Sequence, residues 1–446
     1  MDFLARPETL FAAIAVTAAI LFSINLTSDG LGASEAYSAM AAALPGPRAI
    51  WSIPVLHDPG KQVLYYILLH FWSEVFGLSV VALRSLSVVF ALAGLTLVFA
   101  VGRELFDDGT GLAASAVWAF CPLSTVFAHR ARMYSMFVAL ALGQLLLLWR
   151  TRERATALRI AACGVLGAML IYTHMGGLVI IAAEAALLVR DFIHGRRNPG
   201  PWLALAIAAL LWLPWLPIAS AQSKTLVNGH WLDWIAPDHH YSVTIRMIAG
   251  ITALTASAWL VFGPLPGDQS DDRLRWCAAW ALIPPIAFVA GSVAIRPIFH
   301  IRYVAPSLAL LVIASMFLLA RFGTRTRNLV AVGIASALLL GSPMLQPVPQ
   351  PWDKIAELVA ASGPTQPVFL EDGFVTSGES LQFANGGFPF GYYSVPFDYY
   401  SRSPNPRIVI PAHDSSAARA TIESRFSTVM ANSSAPMARP AAARAS

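Results

Sequence analysis

"TVFAHRARMYSMF", residues 125–137, puts His129, Arg130 and Arg132 into a short gap between two long apolar runs. Elsewhere the chain is poor in charge: of its 446 residues, 57% are hydrophobic and only 12% are charged. A water-soluble chain carries about 25% charged residues to cover its surface. Through the first three quarters of this one, apolar stretches recur that are long enough to cross about 30 Å of hydrocarbon. The fold class that follows is an all-α polytopic membrane protein, and the meaning of the gap depends on which side of the membrane it faces.

Spans are predicted at 9–26, 80–101, 110–127, 134–149, 158–173, 176–190, 202–220, 242–263, 276–294, 303–320 and 328–345, about eleven crossings in all. The first run has no strongly basic leader, since Asp2 and Glu8 offset Arg6, and it is read as a retained span rather than a cleaved signal. Charge bias sets the orientation. "RTRERATALR", "RDFIHGRR" and "RFGTRTR", together with Arg103, Arg273 and Arg275, fall in one set of loops and mark the cytoplasmic side. The N-terminus is then cytoplasmic and the C-terminal segment extracytoplasmic, with these arginines read as topology determinants. The net charge of +5 needs no nucleic acid to explain it. Cys121, Cys163 and Cys277 match neither a metal-ligand nor a disulfide spacing and read as small core residues.

The expected organisation is a transmembrane module over 1–345, an extracytoplasmic α/β domain over 346–412 and a disordered tail over 413–446. Within the module, 27–79 forms the first external loop. There Leu64, Leu68, Phe71, Trp72 and Val75 recur at helical spacing, as in a helix lying in the membrane interface. "PWDKIAELVAASG" reads as a short helix ended by Gly363, and "QPVFLE" and "RIVIPAH" as strands. The last residues, rich in Ala, Ser and Arg, cannot bury a core.

The gap at 129–132 falls on the outer side, where positive-inside bias does not require arginines. Other ionisable groups share that side: Glu35 in "GASEAYSAM", Asp58 and Lys61 in "HDPGKQVLYY", then Arg84, His174 and Arg302, with Tyr134, Tyr172 and Tyr303 beside them. Such groups at the ends of apolar helices are costly to desolvate and are functional candidates. A carboxylate takes a proton from a hydroxyl nucleophile. Arginines hold phosphate and stabilise charge on a departing one. An apolar bundle beside them accommodates a lipid tail. The combination fits group transfer from a lipid phosphate to an extracytoplasmic acceptor. Glu35 and Asp58 are the candidate bases; Lys61, Arg84, His129, Arg130, Arg132, Tyr134, His174, Arg302 and Tyr303 are the candidate substrate and phosphate contacts. Arg84 also reads as an anchor for the end of its span, and Tyr65, Tyr66 and Trp72 as interface packing. No cofactor is implied. A divalent metal has no support, since Asp238, His239 and His240 are three adjacent loop residues and make a poor closed site.

"SEAYSAM", "LYYILLHFWSEVFGLSVVALRSLS", "HRARMYSM", "YTHMGG", "RYVAPSLALL" and "PWDKIAELV" come in an order that is similar to membrane glycosyltransferases using polyprenyl-phosphate sugars. These are the protein O-mannosyltransferase and lipid A aminoarabinose transferase group, of glycosyltransferase family 39 type, with the GT-C fold. The resemblance implies a GT-C-like catalytic module in the bacterial inner membrane, an inverting hexosyl or pentosyl transfer and a first-loop carboxylate as base. The partners implied are a polyprenyl-phosphate-linked sugar, membrane lipids and an unspecified hydroxyl acceptor. The chain departs from that family where Ser34 precedes Glu35, where Lys61, Gln62 and Val63 replace His-Pro-Pro, and where His129 and Arg130 stand for Gln-Glu. Two alternatives are a lipid or sugar transporter, for which Glu184 is the clearest acid inside a span, and an inactive relative that only binds lipid-linked sugar.

Overall fold

The computed structural model describes residues 6–27, 30–56, 62–220, 269–294, 301–341, 352–363, 368–372, 400 and 407–411. The chain divides into two compact units. One comprises Met1–Asp29 with Ala41–Pro349, the other Gly30–Met40 with Gln350–Ser446. Asp58, Lys61, the span expected at 242–263, the segment holding Asp238, His239 and His240, and the tail over 413–446 lie outside the described residues.

The larger unit is helical: α1 (Pro7–Ser23), α3 (Pro47–Leu56), α4 (Leu64–Phe76), α5 (Val80–Leu105), α6 (Asp108–Ala119), α7 (Pro122–Ala128) and α8 (Tyr134–Glu153) are followed by α9 (Ala157–Thr173), α10 (Gly176–Ile193), α11 (Gly200–Trp212), α12 (Gln269–Ala294), α13 (Ala305–Leu319) and α14 (Thr324–Leu340). α2 (Ala33–Ala42) falls mostly in the smaller unit. Among the described residues five helices are long and apolar enough to span a membrane by themselves: Val80–Leu105, Tyr134–Glu153, Gly200–Ser220, Asp272–Gly291 and Ile301–Phe322. Lipid-facing sides are plain on the outer helices, where Val16, Ile20, Val165, Leu210, Ile286 and Val332 stay exposed. α8 and α13 are enclosed almost all round and form the middle of the unit.

The straight span expected at 110–127 is instead two helices, α6 and α7, meeting at 63°. Pro122 starts the second and Cys121 caps it in extended conformation. Proline lacks the N–H that would continue the ladder, and it pushes the preceding residue out of helical geometry. The pair still crosses the unit. α6 starts beside Arg327 on α14, which bonds to Asp107 at 3.0 Å. α7 ends at His129, whose Nε2 lies 3.4 Å from the Leu21 carbonyl near the far end of α1.

α12 carries Pro284 and Pro285 inside an unbroken helix of 26 residues. Pro284 cannot bond back to the Trp280 carbonyl, which would be orphaned among apolar side chains. Ser307, near the start of α13, donates its Oγ–H to that carbonyl at 3.2 Å.

The arginine-rich end corrects the reading of its arginines as topology signals alone. Arg150 and Arg152 sit in the last turn of α8 rather than in a loop. The Arg152 side chain is 3% exposed and pairs with Asp191 of α10 and, at 2.6 Å, with Asp272 of α12. Its guanidinium lies 4.6 Å from the Trp149 ring centroid and 4.9 Å from that of Trp276. Arg190 reaches the same Asp272 at 3.2 Å, and Arg196 at 3.5 Å. One buried cation therefore joins three helices.

The smaller unit contains Gly30–Met40, α15 (Trp352–Ala361) and strands β1 (Val368–Asp372) and β2 (Arg407–Pro411). The strands are parallel, with Val368 opposite Arg407 and Asp372 opposite Pro411. Tyr400 Oη accepts a hydrogen bond from the Leu31 amide at 2.8 Å.

Candidate functional site

At the end of the helical unit opposite Arg152, the sequence "HRARMY" forms the turn between α7 and α8. His129 caps α7 and Met133 precedes the first turn of α8, so Arg132 is carried on backbone fixed at both sides. The Arg132 carbonyl accepts a hydrogen bond from Ser87 Oγ of α5 at 3.2 Å. Ser87 has one hydroxyl proton and gives it to this carbonyl. The 2.9 Å contact between Ser87 Oγ and Tyr65 Oη is therefore donated by the tyrosine. Arg132 itself is 2% exposed and donates from Nη1 to Tyr66 Oη at 3.1 Å.

Both tyrosines come from α4. The apolar stripe through Phe71 and Val75 is left 49% and 74% exposed. The opposite face, Tyr65, Tyr66, Leu69, His70 and Ser73, is the buried one. In water the buried face of a helix is its apolar face, whereas here the apolar face fits hydrocarbon and the polar one faces protein. Tyr65 and Tyr66 thus belong with Arg132 and are not interface packing.

Arg84 is 0% exposed and donates from Nη1 to the Leu26 carbonyl at 2.7 Å. A headgroup anchor would reach outward, so the expectation that it anchors the end of the span does not hold. Ser87 lies one turn further along α5, on the same inward face.

A second group adjoins the first through Tyr134. Arg302, in the short 3₁₀ turn before α13, places its guanidinium carbon 5.5 Å from the ring centroids of both Tyr134 and Tyr303. The Tyr303 ring lies 4.8 Å from that of His174, which also packs 4.8 Å from Phe137. His174 Nδ1 accepts the Gly176 amide at 2.9 Å. That bond assigns the acceptor to Nδ1 and the proton to Nε2, which makes His174 a neutral donor. A Cβ on Gly176 would come within 2.9 Å of both His174 Nδ1 and the Phe137 ring, so the "HMGG" turn needs glycine there. Two residues before His174, Tyr172 packs 5.8 Å from Trp215 and 5.9 Å from Trp51 of α3. Arg130 is partly exposed beside the turn.

The structure thus brings Arg84, His129, Arg132, Tyr134, His174, Arg302 and Tyr303 to one end of the larger unit, and adds Tyr65, Tyr66 and Ser87. The signal for Ser87 was its spacing of three from Arg84 within "RSLS". Glu35 belongs to the smaller unit. It is 0% exposed in the first turn of α2, and its Oε2 accepts the Gly32 amide at 3.2 Å. Among the described residues no three His, Cys, Asp or Glu side chains converge as a metal site. Chemically, the cluster offers buried guanidinium and phenol donors with aromatic faces, a surround suited to an anionic group and a ring-shaped one.

Residues 61–218 match the family described as dolichyl-phosphate-mannose-protein mannosyltransferase. No curated protein sequence matches the chain significantly. Among solved structures, the ArnT of Cupriavidus metallidurans bound to undecaprenyl phosphate superposes with a TM-score of 0.59 at 14% identity, covering 94% of this chain and 88% of that one. The same protein in its apo state gives the same values of 0.59 and 14%. The oligosaccharyltransferase of Archaeoglobus fulgidus, in complex with Zn and sulfate, gives a TM-score of 0.56 at 13% identity, covering 89% of this chain and 62% of that one. The fold is that of the GT-C membrane proteins, as the sequence resemblance implied.

Proposed function

We propose that this GT-C-fold chain is a membrane glycosyltransferase that moves a sugar from a polyprenyl-phosphate donor to an acceptor hydroxyl outside the cytoplasm. The observation that carries the reading is Arg132, a guanidinium buried at one end of an apolar helical unit and bonded to Tyr66. Guanidinium and phenol donors gathered at the end of an apolar bundle suit a phosphate carried on a lipid tail. The matched mannosyltransferase segment contains Tyr66, Arg84, Arg132 and His174, and one similar protein was solved with undecaprenyl phosphate. In the proposed orientation the N-terminus and the Arg152 end face the cytoplasm, and the Arg132 end faces the periplasm of a bacterial inner membrane.

In the reaction, a carboxylate takes the proton of the acceptor hydroxyl as its oxygen attacks the anomeric carbon. The bond from that carbon to the phosphate oxygen breaks, and its electron pair leaves with the polyprenyl phosphate. Arg132 and Arg302 stabilise the charge that develops there. Attack opposite the leaving group inverts the anomeric centre. Lys61 and Arg130 are proposed as further phosphate contacts, and His174 and Tyr303 as sugar contacts. Glu35 and Asp58 are the proposed bases. The test is transfer of labelled sugar from polyprenyl phosphate by the full-length chain in phospholipid vesicles. E35Q or D58N is expected to abolish turnover while donor still binds; full turnover in both removes the carboxylates from the mechanism.

A further inference from the structure

The arginine-rich end of the helical unit holds a feature with no part in sugar transfer. Between the last turn of α10 and the first of α11 lies an open cleft of about 340 Å3, lined by Phe192, Arg197, Asn198, Pro199 and Trp202. Its walls are mainly apolar. Asn198 is spent on structure: its Nδ2 donates to the carbonyls of Thr151 and Arg152 at 3.2 and 3.0 Å, and its Oδ1 accepts the Gly200 amide at 2.9 Å. The charge of the cleft is therefore that of Arg197.

Neighbouring arginines on this stretch are neutralised. Arg190 and Arg196 pair with Asp272, and Arg196 also reaches Glu153 at 3.4 Å. Arg197 has no carboxylate partner among the described residues; its guanidinium carbon lies 5.8 Å from the Phe192 ring centroid. The surrounding surface is apolar and open, with Phe192 55%, Ile193 73% and Leu203 53% exposed. Aromatic residues beside a cation mark the depth at which headgroups meet acyl chains.

We infer that this cleft binds one anionic phospholipid of the adjacent leaflet, with its phosphate on Arg197 and the start of an acyl chain against Trp202 and Phe192. A free phosphate would gain nothing from the apolar walls, and a zwitterionic headgroup would place a second cation beside the guanidinium. The site lies at the opposite end of the helices from Arg132, so it is distinct from the donor site proposed above and stands whether or not that reading does.

The experiment is lipid counting by native mass spectrometry on the full-length chain, equilibrated with phosphatidylglycerol vesicles or, in parallel, phosphatidylcholine vesicles. Wild type is expected to retain phosphatidylglycerol in preference to phosphatidylcholine. R197A should bind it about fivefold more weakly, the effect of one cation near a membrane surface. R197Q keeps the side-chain stem over Phe192 and should show the same loss, which separates loss of charge from misfolding. R325A removes an exposed arginine on the first turn of α14 and should match wild type. Four results would each overturn the inference: undiminished retention in both Arg197 variants, an equal loss in R325A, equal retention of phosphatidylcholine, or displacement of the lipid by an equal concentration of glycerol phosphate.

Discussion

Arg132 shows what a single residue carries in this fold. Its side chain is buried, its carbonyl is held by Ser87 and its guanidinium by Tyr66. In the proposed reaction it stabilises a leaving phosphate, and removal of such a donor typically costs about 100- to 1,000-fold in turnover. R132A should fall in that range in the labelled-sugar assay. Y66F removes one neutral partner and leaves the charge, so its loss should stay near tenfold or less. A Y66F loss as large as that of R132A would mean that Tyr66, not the guanidinium, contacts substrate. The importance of Arg132 was legible in the sequence because arginines on the outer side have no topological reason to be there. Tyr66 was not. Its helix was read by its apolar stripe, and in a bilayer that stripe points away from the protein.

Among the elements, long apolar runs gave away most helices, but their internal breaks and repairs did not show. Two adjacent prolines in α12 look like a chain break in one dimension; Ser307 on the next helix makes them tolerable. S307A leaves the Trp280 carbonyl unsatisfied and should cost about 1 kcal/mol of stability, read as a lower melting temperature in detergent. A parallel case closes the start of α6. Asp107 accepts the Thr110 amide at 2.8 Å and the Thr110 hydroxyl at 2.7 Å, and pairs with Arg327 of α14. Burial pushes its carboxyl up, but the Thr110 bonds and the Arg327 charge outweigh burial and hold it below the ordinary aspartate range. A depressed carboxylate contributes stability above its unfolded pKa and loses it as pH falls through its folded one. Melting temperature should therefore drop on the acid side in wild type, and less steeply in D107N. Identical acid limbs would place the titration elsewhere.

For the molecule as a whole, low charge together with recurring apolar runs of spanning length pointed to a helical membrane protein. The contacts between distant helices could not be read the same way. Arg152, Asp191 and Asp272 are separated by 39 and 120 positions from the arginine, and each looks like an ordinary loop charge in sequence. Packed together they tie α8, α10 and α12. D191N removes one side of a buried pair and should lower stability by roughly 2–3 kcal/mol, somewhat under the usual loss because Asp272 remains. R152M/D191L, exchanging the pair for apolar groups, should recover part of that by the same melt. At the other end of the unit Arg84 reaches the Leu26 carbonyl and Arg132 the Tyr66 phenol. The outward stripe of α4 has a practical consequence. The helix that carries Tyr65 and Tyr66 leaves Phe71, Val75 and Phe76 exposed, an apolar stripe that lipid or detergent would cover, so the solubilising agent becomes a structural variable of the purified protein. A short-chain detergent that fits this stripe poorly would shift the tyrosines and silence turnover while circular dichroism still reported an intact helical protein. Assay loss after extraction would then be reversed by returning the sample to bilayers.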